Sequence, residues 1–401
     1  MNIIFLASGE VNKIETPGIY TDLFRKFRDE GHNVYIVSAN ERRTGKLTEF
    51  KMTSGVYVLR VKIGNITKCG MLEKGISTLS VEYLFKRAIK KYLSDVQFDL
   101  IVYTTPPITF ANVVKFIKKR DNAKSYLALK DIFPQNALDI GILKRSGIKG
   151  LIYRYFRKKE KQLYKLSDKI GCMSPANCEY VLKNNPEIEK ERVELFPNTI
   201  EYREVLLGET EKMEMRDKYG IPQDKKVFVY GGNLGKPQGV PFIIECLKSQ
   251  IENENVFFLI VGNGTEFSKV EEYYLNEKPS NVKVMKHLPR EDYDKMIAAC
   301  DVGLIFLDHR FTIPNYPSRL LAYMQAGLPV LAATDVNTDI GKILEENGLG
   351  WWCESNDVQA FGECVEKAVL ADKKPISKRT ITYLKENYSI EKSYEIIMQG
   401  V

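Results

Sequence analysis

The chain has 401 residues, of which 44% are hydrophobic and 28% charged, a composition typical of a globular protein and a length sufficient for two domains. No apolar run reaches the roughly 18 residues of a membrane-spanning helix, and the first residues, MNIIFLASGE, have no basic start of a signal peptide, so we expect a cytoplasmic protein. The seven cysteines form no C-x-x-C pair and the three histidines are far apart, which argues against a disulfide framework and a zinc site.

The net charge of +7 is distributed unevenly along the chain. Residues 1–200 carry +14, whereas residues 201–401 carry −7. A basic first half and an acidic second half predict two domains with different partners.

The first half begins with a strand, a helix and a second strand. Asn2–Ser8 is an apolar strand, the polar loop Gly9–Thr16 follows it, Pro17-Gly18 opens a helix, and Asn33–Ser38 is the next strand. This order predicts a βαβ unit whose first loop lies at the carboxyl edge of a parallel sheet. The G-x-G-x-x-G pattern of dinucleotide-binding proteins is absent from this loop.

Before the last strand of this half, which is predicted at the start of Glu194–Thr199, three further strands are predicted, and the third leads to a candidate catalytic residue. They are Val56–Val61, Leu100–Tyr103 and Ser125–Leu129. Asp131 follows the third strand, in a loop that also holds Asn136, and this is where α/β enzymes keep catalytic groups. The alternative interpretation is a capping aspartate next to Lys130.

Residues 144–169 form the most basic window of the chain. Ten Lys and Arg residues stand there against Glu160 and Asp168, and apolar residues recur between them at helical spacing. The pattern predicts an amphipathic helix that lies on an anionic membrane surface. Two alternatives are a nucleic-acid surface, for which no binding motif is present, and a domain helix with a solvated basic face.

A second α/β domain is predicted after a charged, irregular stretch at residues 200–224. Its strands are expected at Lys225–Tyr230, Val256–Val261, Val282–Met285, Val302–Leu307 and Val330–Ala333.

Three loops of this domain are expected to meet at one sheet edge. They are Gly231–Gly239, which contains Lys236, then Gly262–Glu266 and Asn315–Arg319. Glycines after parallel strands let a ligand approach the backbone, and lysine or arginine binds phosphate. The set predicts a diphosphate site.

The third loop leads into a predicted helix. We expect Ser318 to cap this helix with its hydroxyl, so that the first backbone N–H groups and Arg319 form an anion site, and we expect Gly327 to end the helix. The alternative is an ordinary N-cap with a solvated arginine.

The motifs GGNLGKPQG, VGNGTE and FTIPNYPSRLLAYMQAGLPVLA resemble those of the retaining glycosyltransferases of family 4, in particular the bacterial capsule and O-antigen branch. The resemblance covers the whole chain and implies the α/β fold called GT-B, with two Rossmann-like domains whose parallel sheets face each other across a cleft. It implies an acceptor-binding domain at residues 1–198, a nucleotide-sugar-binding domain at 199–385, and a C-terminal helix at 386–401 that packs back on the first domain.

The sequence departs from the family pattern at four positions. Many members place two glutamates eight residues apart, and these positions are Pro314 and Ala322 here. The family's cations in the glycine loop fall on Asn233 and Gln238, so Lys236 and Arg319 are the candidate cations. By the resemblance, the donor-binding residues are Gly231, Gly232, Asn233, Lys236, Gly262, Gly264, His287, Asn315, Ser318 and Arg319. The candidate acceptor-binding residues are Gly9, Glu10, Thr16 and Gly18.

The resemblance implies transfer of a sugar from a nucleotide diphosphate donor in capsule or lipopolysaccharide synthesis, and our hypothesis is a UDP-sugar whose sugar is an acetamido-6-deoxy sugar such as N-acetylfucosamine. The basic, aromatic-rich helix of the first half predicts that the acceptor is a lipid-linked saccharide at the inner face of the plasma membrane. No cofactor, metal or nucleic-acid partner is expected. Lys236 and Arg319 would stabilise the leaving diphosphate, and Asp131 would orient or deprotonate the acceptor hydroxyl, unless the leaving phosphate takes the proton. With both glutamates missing, retention and inversion stay open. The alternatives are a nucleotide-sugar 2-epimerase of the same fold and a non-catalytic protein that binds a nucleotide-sugar or a membrane.

Overall fold

The computed structural model describes residues 1–400 except Ser8, Glu10, Asn12, Lys68 and His287, and the chain divides into two compact units. Unit 1 comprises Met1–Glu201 and the C-terminal segment from Ser389 onwards, whereas unit 2 comprises Tyr202–Tyr388. Each unit contains one sheet.

The strands of unit 1 are β1 (Asn2–Ala7), β2 (Asn33–Glu41), β3 (Glu49–Thr53), β4 (Val56–Ile63), β5 (Leu100–Thr104), β6 (Lys124–Leu129), β7 (Lys169–Cys172) and β8 (Val193–Leu195). Within the described residues they form an eight-stranded sheet in the order β3-β4-β2-β1-β5-β6-β7-β8. All neighbours are parallel except β3 and β4, which are antiparallel. The helices of unit 1 are α1 (Ile19–Asp29), α2 (Met71–Tyr92), α3 (Ala111–Asp121), α4 (Gln135–Asp139), α5 (Gly147–Leu166), α6 (Pro175–Asn184) and α15 (Ile390–Gln399).

The core of unit 1 explains why its central strands are continuous apolar runs. Residues 3–6 of β1 are all buried, as expected for a parallel sheet covered on both faces. Helix α15 adds Ile390 and Ile397 to the same cluster, and the Tyr394 ring packs edge-on against Phe27 of α1 with ring centroids 5.0 Å apart. The last helix of the chain therefore belongs to the core of unit 1.

The strands of unit 2 are β9 (Lys226–Asn233), β10 (Val256–Asn263), β11 (Val282–Met285), β12 (Val302–Phe306), β13 (Val330–Thr334) and β14 (Gly350–Glu354). Within the described residues they form a fully parallel sheet in the order β11-β10-β9-β12-β13-β14. The helices of unit 2 are α7 (Glu209–Lys218), α8 (Val240–Ser249), α9 (Phe267–Glu277), α10 (Arg290–Ala298), α11 (Arg319–Gln325), α12 (Ile340–Glu346), α13 (Val358–Leu370) and α14 (Lys373–Asn387).

The predicted stop of helix α11 at Gly327 is confirmed, and its geometry is that of a Schellman motif. Gly327 has φ of +63°, its N–H donates to the carbonyl of Met324, and the N–H of Leu328 donates to the carbonyl of Tyr323 at 2.9 Å. This turn directs the chain from α11 into β13.

The expectation of an irregular stretch at residues 200–224 is wrong, because helix α7 lies within it. The helix contains few apolar residues, and its buried side chain is Arg216, in the last turn. That guanidinium donates to Asp301 at 2.6 Å and to the carbonyl of Ala299 at 2.9 Å. A buried ion pair with a distant part of the chain thus anchors α7.

Candidate functional site

The carboxyl edge of the unit 2 sheet contains the glycines that the sequence singles out. Gly232 and Gly262 are register partners in β9 and β10, and a Cβ atom on Gly262 would overlap the carbonyl oxygen of Gly232. A Cβ atom on Gly264 would overlap the backbone of Leu234. These glycines therefore have a packing role, and Gly231, Gly232 and Gly262 lie in strands, not in the loops where the sequence analysis places them.

The first two predicted loops are joined by hydrogen bonds. The N–H of Leu234 donates to the carbonyl of Asn263 at 2.7 Å, and the N–H of Glu266 donates to the carbonyl of Leu234 at 2.9 Å. The side-chain oxygen of Gln238 accepts from the amide of Asn233 and from the N–H of Gly235, both at 3.0 Å. The two positions where the related family has cations therefore hold this loop together.

Arg319, from the third predicted loop, reaches the same edge. Its guanidinium carbon lies 4.3 Å from the centre of the Tyr230 ring, and a Cβ atom on Gly232 would lie 3.6 Å from its Nη2. Its Nη1 is buried and has no hydrogen-bond partner within the described part of the chain. No described carboxylate pairs with it either, so Arg319 is a half-buried cation without a counterion among the described residues.

Tyrosines surround this arginine, and the sequence analysis did not identify them. Tyr230 lies under the guanidinium, and the Tyr323 hydroxyl accepts from the N–H of Gly231 at 3.1 Å and donates to the carbonyl of Leu304 at 3.0 Å. Burial raises the pKa of Tyr293 to about 12, and the charge of Arg319 opposes that rise. The tyrosines are therefore neutral at physiological pH and leave the positive charge unbalanced.

Lys236 and Ser318 differ from Arg319 in their surroundings. Lys236 is exposed in a short 3-10 turn, Lys236–Gln238, and it forms no ion pair with a described residue. Ser318 occupies the N-cap position of α11, but its backbone is helical and its side chain makes no capping hydrogen bond. The prediction that the Ser318 hydroxyl caps α11 is therefore wrong, because a capping residue needs an extended backbone. The hydroxyl is exposed.

The remaining predicted site residues have mixed outcomes. Glu10 and His287 lie outside the described residues. The carbonyl of Thr16 accepts from the Thr21 hydroxyl at 2.6 Å, and the N–H of Gly18 donates to Asp22 at 3.0 Å, so both help to start α1. Gly9 is exposed.

Asp131 follows β6 and is held by Asn136. The Asn136 amide donates to both carboxylate oxygens, at 2.7 and 2.8 Å. Burial raises the pKa of Asp131 to about 6, although hydrogen bonds from Ile132 and Asn136 act to lower it. The Thr105 hydroxyl donates to the Asp131 carbonyl at 3.0 Å and fixes the loop. The carboxylate can therefore exchange a proton near neutral pH.

Lys130 does not pair with Asp131 but points into a different environment. Its Nζ donates to the carbonyls of Phe196 and Pro197, both at 3.3 Å, and lies 4.3 Å from the centre of the Phe196 ring. Burial lowers its pKa to about 7. No sequence pattern singled out this lysine beyond its place at a strand end.

A pocket of about 430 Å³, including space open to solvent, lies at this edge of unit 1. Its walls are mostly apolar, and Lys130 and Thr104 are among the polar residues that line it. Residues Ile19 and Tyr20 of α1 form another wall. The pocket therefore lies next to the predicted acceptor loop.

Helix α5 exposes an apolar face in its first half. Ile148, Leu151, Ile152 and Tyr155 lie on one side of the helix and are 40–79% exposed. Basic residues flank them, as the sequence predicts.

The second half of α5 is part of the fold. Arg157 pairs with the buried Glu160 at 2.6 Å, and Tyr164 also donates to Glu160, at 2.8 Å. The basic window of residues 144–169 therefore has an exposed apolar face in the first half of α5, whereas the second half is held to the fold through Glu160.

None of the described helices is both long and apolar enough to cross a bilayer. Within the described residues no group of three or more His, Cys, Asp or Glu side chains is arranged to hold a metal ion.

The two α/β units, each built on a parallel or nearly parallel sheet, define the GT-B glycosyltransferase fold. Among solved structures, the chain is similar to that of Anabaena Alr3699/HepE in complex with UDP and glucose. The TM-score is 0.70 and the identity 15%, over 100% of this chain and 98% of that one.

The family described as "Glycosyl transferases group 1" matches residues 211–386, which lie within unit 2. Over most of its length the chain is similar to the probable glycosyltransferase WbjE of Pseudomonas aeruginosa, with 24% identity over 82% of this chain and 80% of that protein. It is also similar to the putative colanic acid biosynthesis glycosyl transferase WcaI of Escherichia coli K12, with 24% identity over 69% and 67%.

Proposed function

We propose that the protein is a glycosyltransferase whose donor is a UDP-sugar. The observation that carries the proposal is Arg319, whose guanidinium has a buried, unpartnered Nη1 and no counterion within the described residues, and which lies beside Gly232 at the edge of the sheet. A buried cation without a partner is unfavourable, and a diphosphate offers both the negative charge and the acceptor oxygens that are missing. The UDP in the structure of HepE, which has the same fold, supports uridine as the base.

The catalytic effect would come from electrostatics at the leaving group. When the anomeric bond breaks, negative charge develops on the β-phosphate oxygen. A cation already fixed at that place stabilises the transition state more than the ground state, and one well-placed donor is worth about 3 kcal/mol. Arg319 is held by Tyr230, whereas Lys236 is exposed and would close on the diphosphate when it binds. We propose this mechanism without a metal ion and with retention of configuration.

Unit 1 would bind the acceptor, near Gly9, Thr16, Gly18 and the apolar pocket. Asp131 would orient the acceptor hydroxyl or take its proton. Its raised pKa, about 6, leaves it ionised at pH 7 and basic enough to accept a proton. If the leaving phosphate takes the proton instead, Asp131 acts only in positioning.

The acceptor would be a lipid-linked saccharide at an anionic membrane. The exposed apolar face of α5, flanked by lysines and arginines, suits a bilayer with acidic headgroups. The similarity to WbjE and to WcaI, whose description includes colanic acid biosynthesis, supports a role in capsule or lipopolysaccharide synthesis. An acetamido-6-deoxy sugar such as N-acetylfucosamine is the proposed donor sugar, from the sequence resemblance.

The test is incubation of the purified protein with a panel of UDP-sugars, with and without a lipid-linked acceptor. Transfer to the acceptor, or slow donor hydrolysis without it, is the expected result. Exchange at C2 of the sugar would show an epimerase instead, and binding without turnover would show a non-catalytic protein.

A further inference from the structure

A buried carboxylate follows β13 and has one oxygen without a partner. Asp335 is 1% exposed. Its Oδ1 accepts from the N–H of Asn337 at 2.9 Å and from the N–H of Thr338 at 3.2 Å, which closes a turn. Its Oδ2 is buried and has no hydrogen-bond partner within the described residues. The turn therefore uses only one of the two carboxylate oxygens, Oδ1.

A buried donor without a partner belongs to the same group of loops. The Nδ2 of Asn315 is buried and has no hydrogen-bond partner in the described part of the chain. Its backbone carbonyl accepts from the Thr338 hydroxyl at 2.5 Å. Thr338 thus contacts both residues, through its N–H to Asp335 and through its hydroxyl to Asn315.

Both unpartnered atoms are unfavourable as they stand. Burial of a polar group without a hydrogen bond costs about 1–3 kcal/mol, and burial raises the pKa of Asp335 to about 6. The turn keeps the carboxylate in place although it is poorly solvated. An acceptor and a donor, held by one threonine, match a group that both donates and accepts, which is the chemistry of a sugar hydroxyl.

The position of this pair relative to Arg319 fits a sugar attached to a diphosphate. Gly232, beside Arg319, is the second-last residue of β9, and Asp335 follows β13, which is two strands away in the sheet order. Neighbouring strands are about 4.8 Å apart, so the two strand ends are separated by roughly 10 Å. A carboxylate repels phosphate, so Asp335 is suited to the uncharged sugar.

We infer that Asp335 and Asn315 bind a hydroxyl group of the donor sugar, and that they discriminate the nucleotide-sugar from the free nucleotide. This inference rests on the proposed function, because it places the sugar beside the diphosphate that Arg319 would bind. Asp335 would accept the hydroxyl proton, and Asn315 would donate to the hydroxyl oxygen.

The test is calorimetric titration with UDP and with UDP-glucose, UDP-galactose and UDP-N-acetylglucosamine. The UDP-sugar that binds wild type most tightly is then titrated into Asp335→Asn and Asn315→Ala. The control is Asp372→Asn, which changes a carboxylate that accepts from the N–H of Lys374 at the start of α14. We expect each of the two variants to bind the UDP-sugar at least tenfold more weakly than wild type does. Their affinity for UDP should change by less than twofold. The control should match wild type for both ligands.

An unchanged ratio of the two affinities in both variants would overturn the inference, and so would a wild type that binds no UDP-sugar more tightly than UDP. If thermal melting shows that Asp335→Asn does not fold, Asn315→Ala decides. A wild type that binds no UDP at all would refute the proposed function itself, which is a different result.

Discussion

The two sheets of the protein end in different chemistry at their carboxyl edges. The edge of unit 2 has glycines, an exposed Lys236 and the unbalanced Arg319. The edge of unit 1 has an apolar pocket, with Lys130 and Asp131 side by side in sequence. Burial moves the pKa values of these two residues towards neutrality, to about 7 and about 6.

The comparison shows how one architecture supports two tasks. A fixed positive charge suits an anion that must be bound and stabilised as it leaves. A group with a pKa near the working pH suits proton transfer or the positioning of a hydroxyl. The predictions below test whether the two edges divide the work in this way.

The largest effect is expected for Arg319→Ala. We expect kcat/KM to fall about 1000-fold, because the main charge on the leaving diphosphate is lost. The free energy of unfolding should change by no more than about 1 kcal/mol, since removal of an unpaired buried charge offsets the lost stacking on Tyr230. Steady-state kinetics and denaturant unfolding measure the two quantities.

The control for this variant is Arg379→Ala. Arg379 is exposed and donates to the carbonyl of Gly348, before β14 at the opposite edge of the sheet. A large loss of stability in Arg319→Ala would contradict a binding role and indicate a structural one.

Asp131→Asn tests the edge of unit 1. If the carboxylate accepts the proton, kcat should fall about 100-fold at pH 7.5. Because the pKa of Asp131 is raised to about 6, the carboxylate is ionised above that pH, and the wild-type rate should fall as the pH drops below 6. The variant should lack this acid limb in its pH-rate profile.

Asn136→Ala tests whether Asp131 is the group that titrates in the acid limb of the pH-rate profile. The Asn136 amide stabilises the ionised carboxylate, so its removal should raise the pKa of Asp131 and move the midpoint of the limb to higher pH. An unmoved midpoint would mean that another group titrates, and Asp131 would then act only in positioning.

A smaller effect is expected for Lys236→Ala. This lysine is exposed, so its charge is screened, and we expect about a tenfold rise in KM for the donor that becomes smaller as salt is added. Lys225→Ala, at the other end of β9, is the control. Equal KM values of wild type and Lys236→Ala for the donor at all salt concentrations would remove Lys236 from the diphosphate site.

The smallest effect on chemistry is expected from the apolar face of α5. Leu151→Glu should abolish binding to anionic vesicles in flotation assays, yet change turnover of a water-soluble acceptor by less than about twofold. Leu370→Glu, an exposed leucine of unit 2, should bind vesicles as wild type does. Vesicle binding by Leu151→Glu at the wild-type level would refute the membrane role.

Most strands and the glycine positions could be predicted from sequence, because apolar runs and strand-end glycines are local signals. Val282–Met285 has the predicted bounds, and the β9 and β10 strands continue up to three residues further because Gly231, Gly232 and Gly262 pair as strand residues. Helix α7 was missed because its stability depends on the Arg216–Asp301 pair, which no local pattern reveals.

The site could be predicted only in part. Arg319 itself was recognised, but its stacking on Tyr230 depends on where the start of α11 lies relative to β9. The unpartnered oxygen of Asp335 depends on a turn that is formed only in the folded unit. The Ser318 cap was wrong because the φ and ψ angles at the end of a long loop are set by packing and not by residue preference. The roles of the predicted site residues stay predictions.

The most direct measurement is the titration of UDP into wild type, Arg319→Ala and Arg379→Ala at low salt. The central claim is that the cation beside Gly232 binds the diphosphate of the donor. Wild type and Arg379→Ala should bind UDP equally, and Arg319→Ala should bind at least about 100-fold more weakly. Equal binding of UDP by Arg319→Ala and wild type would contradict the account.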